Sequence, residues 1–410
     1  MPKDAITTVK RKLFSFLWNK KKYKIKREGL YQDYDKGGIR MTDVGLMIKA
    51  MRLAWIPRLL KHVNSNWNSV PNFFLRRLGG LNFLLRCNYD VTYLNSKLPT
   101  FYKDMLSFFD DLKNLYNYNL GQLVLFNNRE ILIDGKPLFI QEWFSKGVIF
   151  VSDLLDEQGQ LLSYQAFKAK YKCKTNFLTY YQVRSAIPDS LLTKAKNSSL
   201  EPLSKSIFLQ NRSIFELDIS TAINFETAKV KDFYWLLNKQ VNNGPHTGPT
   251  KWSKSMPICA KQWEKHFISI KQVSRENKLR EFQFKFLHRT VVTKKELCRF
   301  GIKDDSECLY CGEQDSIEHT FLDCSFTKDF LSKVVQWFNN CNQSSFKPTN
   351  QEFLFGIFSI PANKELLKKI NYTLLFARYF IYTNKLHNNS LLITDFVSKV
   401  SSKYRLENLD

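Results

Sequence analysis

The stretch Cys308-Leu309-Tyr310-Cys311, followed by His319 and Cys324, decides how this chain of 410 residues is read. The spacing is C-x2-C-x7-H-x4-C, four thiol or imidazole donors within 17 residues. A two-residue gap lets both leading thiolates reach one ion. Three cysteines and one histidine form the closed, four-coordinate set that zinc takes in structural sites. With four protein donors no position stays open for a reacting water, so the ion holds a fold together and catalyses nothing. The plainer alternative, buried cysteines beside a core histidine, seldom produces this spacing. The remaining cysteines, Cys87, Cys173, Cys259, Cys298 and Cys341, are scattered. They make no disulfide framework, which predicts a reducing compartment, cytoplasm or nucleus.

Outward from this motif, charge is the next signal. Lys plus Arg number 62 against 38 Asp plus Glu, a net charge of +24. A surplus of that size predicts an anionic partner, RNA or DNA before an acidic membrane. The charge is also clustered. Residues 1–30 hold ten basic side chains against Asp4 and Glu28. Residues 251–300 hold thirteen against Glu264, Glu276, Glu281 and Glu296. Residues 101–170 are near neutral. The candidate nucleic-acid contacts are therefore Lys20, Lys21, Lys22, Lys24, Lys26 and Arg27 in the first block. Arg280, Lys285, Arg289, Lys294, Lys295 and Arg299 form the second, which runs into the metal motif. Tyr310, between the leading cysteines, either stacks on an unpaired base or packs over the metal loop.

The pattern predicts a mainly α-helical, multi-lobed protein with a short β-hairpin element and a small zinc knuckle. Asp35-Lys36-Gly37-Gly38 is a turn, and Thr42 and Asp43 are good N-caps. Val44 to Leu60 reads as one long buried helix, with Trp55 in the core. Leu123–Phe126 and Ile131–Ile133 suggest a strand pair, and Asp134-Gly135 a turn. Stretches 195–206 and 239–250 read as linkers. Residues 261–300, Thr327–Phe338 and Glu365–Leu386 read as helices. The expected segments are 1–120 (basic, helical), 121–200 (mixed), 201–260 (linker-containing), 261–345 (basic helices plus zinc knuckle) and 346–410 (helical tail). No run is apolar enough to span a membrane, and the N-terminus lacks a signal-peptide core.

Phe108-Phe109-Asp110-Asp111 imitates the paired-carboxylate metal site of reverse transcriptase palms. Its surroundings, Tyr102–Ser107 and Leu112–Leu115, are helical, and no upstream strand bears a further Asp. The pair therefore reads as a solvated helix edge. Phosphate-binding loops, metalloprotease and serine-nucleophile motifs do not occur. His62, His246, His266 and His387 lack partner patterns. No catalytic residue and no small-molecule substrate is expected.

Several segments together resemble LINE-type non-LTR retrotransposon reverse transcriptase proteins. Phe16-Leu17-Trp18-Asn19, Gly37-Gly38-Ile39 with Met41-Thr42-Asp43, and the Ala50–Leu60 helix look like the wrist-like segment after the thumb. Ile131–Phe139 and Phe177–Gln182 are similar to stretches further downstream. Phe286–Arg289, Phe300-Gly301-Ile302 and the Cys308, Cys311, His319, Cys324 set resemble the C-terminal zinc-binding domain. The similarity covers most of residues 10–340. It implies a structural zinc and a role in holding the element's RNA near the polymerase during target-primed reverse transcription. No endonuclease, palm or fingers precede these segments, so the expectation is a C-terminal piece that binds nucleic acid without polymerase activity. Two other readings stand beside it: a module docking in trans on a polymerase domain, and a truncated retroelement remnant without function.

Overall fold

The computed structural model describes residues 3–20, 24–61, 65–94, 98–115, 120–197, 227–358 and 364–407. Lys21, Lys22, His62 and most of the 195–206 linker lie outside them. The described residues are predominantly helical, with one two-stranded antiparallel sheet. Its strands, Leu132–Ile133 and Lys136–Pro137, pair across the turn instead of back to Leu123–Phe126. Asp134 (φ 50°) and Gly135 (φ 71°) both adopt the left-handed geometry of a tight hairpin turn. Val124, Leu125 and Phe126 are fully buried and bond elsewhere, the Leu125 N–H to the Ile149 carbonyl at 2.8 Å. An all-apolar run of four fits a buried segment of any kind, so its pattern could not name the partner.

Two compact units divide the chain: residues 1–9 with 43–241, and residues 10–42 with 242–410. In the first, Asp43 caps the helix Val44–Leu53 by accepting from the Gly45 and Leu46 amides at 2.7 and 3.2 Å. The expected long helix is broken at Ala54, and a second runs Trp55–Lys61. Pro57 is the cause: it has no N–H for the Leu53 carbonyl, and its ring would strike that oxygen in a continuous helix. Nor is the first helix buried all round. Leu46, Ala50 and Leu53 face the core and Met51 is exposed. Trp55 is partly buried at the edge of the core, packed edge-on against Trp67 and Phe101.

The paired carboxylates lie on the helix Thr100–Leu115, as expected, but Asp110 is no solvated edge. Arg129 holds it at 2.8 Å and the buried Lys113 at 3.2 Å. Asp111 pairs with Lys49 at 2.6 Å in more open surroundings.

The second unit is built on the helices Ala260–Val273, Asn277–Leu287, Ser325–Asn342 and Lys364–His387. Trp252, Phe286, Phe321, Phe355 and Phe380 fill its core. Arg378, fully buried, donates to the Phe353 and Leu354 carbonyls and to Gln283 Oε1 at 2.9 Å. Burial holds its pKa down to about 9. Phe14, Ile25, Leu30 and Tyr31 form a small cluster of their own, with Trp18, Ile39, Met41 and Phe284 packed against it. Among the described residues no helix is long and apolar enough to cross a membrane.

Candidate metal centre and basic groove

Cys308, Cys311, His319 and Cys324 converge, with every donor atom within 4.8 Å of the others. A short loop delivers the first pair. The Cys308 amide donates to Glu313, the Gly312 amide donates to Cys308 at 2.9 Å, and Gly312 turns the chain at φ 78°. A bridge between Glu307 and Gln314 closes the loop. His319 opens a single wide helical turn, His319–Asp323. Cys324 follows as the N-cap of the helix Ser325–Asn342.

The donor set fits zinc. A tetrahedron with Zn–S bonds near 2.3 Å has S···S edges of about 3.8 Å and S···N edges of about 3.5 Å. The sulfurs of Cys308 and Cys324 are 3.9 Å apart, those of Cys324 and Cys311 3.8 Å, and Cys311 Sγ lies 3.2 Å from His319 Nε2. The thiol chemistry agrees. Burial works against the Cys308 thiolate, yet the Tyr310 amide, Lys385 and His319 bring its pKa down to about 6. Burial and the neighbouring sulfurs push Cys311 up to about 11. One thiolate therefore suppresses the next, and a dication is what lets all three ionise together. Zinc bound here supplies that charge and a cross-link between the loop and the helix.

Residues 246–330 match a family described as zinc-binding in reverse transcriptase. The matched stretch includes His246, the helix Asn277–Leu287 and all four donors. A comparison with curated proteins finds no match to the chain.

Three residues around this region's metal loop were not legible from the motif. Glu313 lies 3.3 Å from His319 Nδ1 and fixes the ring with Nε2 toward the sulfurs. Asp315 and Lys385 form a buried ion pair at 2.8 Å, and Thr320 donates to Asp315 at 2.7 Å. The only available signal was Asp315 inside the loop, and its partner is 70 residues away. Tyr310 is half-buried, its ring tilted against Phe326 and its hydroxyl donating to the Asn389 carbonyl at 2.6 Å. Of the two roles weighed for it, packing over the metal loop is the one these contacts serve.

Gly37-Gly38-Ile39 is clamped onto the same region. His288 Nε2 meets the Gly37 carbonyl at 2.8 Å and His246 Nε2 the Lys36 carbonyl at 2.7 Å. A Cβ on Gly37 would lie 2.7 Å from the Phe267 ring, and one on Gly38 only 1.9 Å from the Gln32 carbonyl oxygen. Burial, reinforced by His246, holds the His288 pKa down to about 3, so it is a neutral donor. His246 is lowered by burial too, and its position in sequence, without a partner pattern, hid this role.

The basic candidates divide. Lys24, Arg280 and Lys285 line one groove of about 1060 Å3, together with Lys271, Phe16, Trp18, Tyr34 and Phe284. Glu281 is the single carboxylate on its wall and pairs with Lys285. Lys271 sits 3.2 Å above the Tyr34 ring, and Phe16 is 88% exposed. Lys20 is exposed where the helix Lys3–Leu17 ends, Lys26 is exposed, and Arg27 covers the Phe14 ring at 4.8 Å. The rest of the second block has internal duties. Arg289 lies over Trp252 and bonds Glu318 at 2.6 Å; Lys294 pairs with Asp305, Lys295 with Gln314 and Arg299 with Glu296.

Proposed function

We propose that this chain binds single-stranded nucleic acid, RNA before DNA, as the nucleic-acid-holding portion of a non-LTR retrotransposon reverse transcriptase, with zinc as a structural ion. The observation that carries the reading is the groove lined by Lys24, Lys271, Arg280 and Lys285 against one carboxylate, with Phe16, Trp18, Tyr34 and Phe284 between the cations. Cations that track phosphates, interleaved with rings on which bases stack, suit a single strand of any sequence. The match of residues 246–330 to zinc-binding regions in reverse transcriptase supports the context.

The test is anisotropy of labelled single-stranded RNA and DNA across a salt series. Each phosphate contact contributes about 0.7 to the log–log slope, so replacing Lys24, Lys271 and Lys285 together by Ala should lower it by about 2. Phe16→Ala should weaken binding by about 1–3 kcal/mol with the slope unchanged. An unchanged slope in the triple variant would sink the reading. Salt-insensitive capture of a polymerase domain would then favour docking in trans.

A further inference from the structure

Within the second unit, a pocket of about 290 Å3 shares Leu309, Asp315 and Thr320 with the zinc loop but none of the metal donors. Three lysines, Lys294, Lys303 and Lys385, line it against two carboxylates, Asp305 and Asp315. Both carboxylates are already engaged. Asp305 takes Lys294 at 2.9 Å. Asp315 takes Lys385 at 2.8 Å, the Thr320 hydroxyl at 2.7 Å and the Lys294 amide at 3.0 Å. Lys303 is exposed and lowers the Asp305 pKa from a distance, but no ion pair is seen to form between it and a described residue. Thr293, also in the lining, is only 5% exposed, and its Oγ1 has no hydrogen-bond partner. It does not cap the helix that follows it, Lys294–Arg299.

A buried hydroxyl without a partner is costly unless a ligand completes it. Each lysine carries three donors, more than one carboxylate uses. The pocket therefore offers surplus positive charge and surplus donors together. A neutral or cationic guest would leave the charge unmet, and a carboxylate brings only two acceptor oxygens to lysines with several spare donors. A tetrahedral group with several charged acceptor oxygens meets both needs.

We propose that this pocket binds a phosphate group, with Thr293 and Lys303 as its unspent ligands. The phosphate could come from the nucleic-acid strand or from the free anion. In the strand case the inference rests on the nucleic-acid reading above.

The experiment uses the full-length, zinc-loaded chain in two arms: calorimetric titration with inorganic phosphate, and salt-series binding of a single-stranded RNA. Thr293→Val keeps the side-chain shape and removes the hydroxyl, and should weaken the responding arm about fivefold. Lys303→Gln, at an exposed site, guards against a folding defect in the first variant and should weaken that arm about threefold. Loss in the phosphate arm identifies the free anion. Loss in the RNA arm alone, with the log–log slope lowered by about 0.7 for Lys303→Gln, identifies the strand. If neither variant changes either arm, the proposal is overturned, even where wild-type RNA binding upholds the groove. Phosphate binding that Thr293→Val weakens, in a chain that binds no RNA, would instead overturn the groove and keep the pocket.

Discussion

Two clusters in this molecule carry side chains that bind metals elsewhere, and they are arranged in opposite ways. Asp110 and Asp111 each face a cation of the protein itself, Arg129 and Lys113 for one, Lys49 for the other. Cys308, Cys311, His319 and Cys324 face one another, at 3.2 to 3.9 Å. Lys385, which helps hold Cys308 ionised, is shared with Asp315, and no second cation is paired with Cys311 or Cys324 among the described residues. Both runs look like metal motifs in sequence. What separates them is whether the fold supplies the countercharge. A carboxylate with its own ammonium gains little from a metal, whereas three converging thiols can ionise together only around one.

The comparison breaks most visibly at the ligands. Cys324→Ala, or chelation of the wild type, should abolish binding of one zinc per chain. It should leave residues 300–342 open to protease while the first unit stays resistant, because structural zinc contributes on the order of 10 kcal/mol to the fold it closes. A C-terminal half still protected in chelator would mean the cluster packs without a metal. Next is Asp110→Ala. It leaves Lys113, whose side chain is 6% exposed, with only the Cys87 carbonyl and the Tyr89 ring, and should cost about 3 kcal/mol in a urea melt, with no dependence on added metal. A loss under 1 kcal/mol would show that the pair is not needed.

Acid sharpens the contrast between the units. Burial lowers His266 to about 4 and His288 to about 3, whereas both unfold to ordinary histidines near 6.5. Between those values the unfolded chain takes up protons that the native one refuses. Stability of the second unit is therefore full above about pH 6.5 and falls as pH drops, by roughly 3 kcal/mol by pH 5.5. Melts that stay flat over that window would contradict the buried, neutral histidines. Glu313→Gln should lower zinc affinity about tenfold and leave the stoichiometry at one. A competition titration reads this, and an unchanged affinity would make Glu313 a bystander. Asp111→Ala is the smallest, within about 1 kcal/mol, since its partner Lys49 is solvent-accessible.

The zinc donors were legible because tetrahedral coordination by a short loop imposes a spacing that sequence records directly. So were the helical class, the cap at Asp43 and the turn at Gly37-Gly38. Less was visible wherever a residue's role depends on a distant partner. Asp110 read as a solvated edge because Arg129 lies 19 residues on, in an irregular segment. Arg289, Lys294, Lys295 and Arg299 read as nucleic-acid contacts, and charge density did not show that each also has a carboxylate or amide partner. The helix break before Trp55 was in principle readable from Pro57. The apolar run on either side outweighed it.

The clamp on Gly37 and Lys36 has a consequence for how the chain matures. The residues that grip this turn, His246 and His288, come 210 and 251 positions later. At about 5–20 residues per second, translation reaches the nearer of them on the order of ten to forty seconds after the turn itself is made. Through that interval the basic arm has been synthesised without the surface it folds on, its glycine turn and its lysines open to solvent. If the chain binds a strand as proposed, the arm stands open to that strand before the helices reach it. The turn at Gly37 is thus made well before the helices that hold it, and it finishes folding only after they arrive.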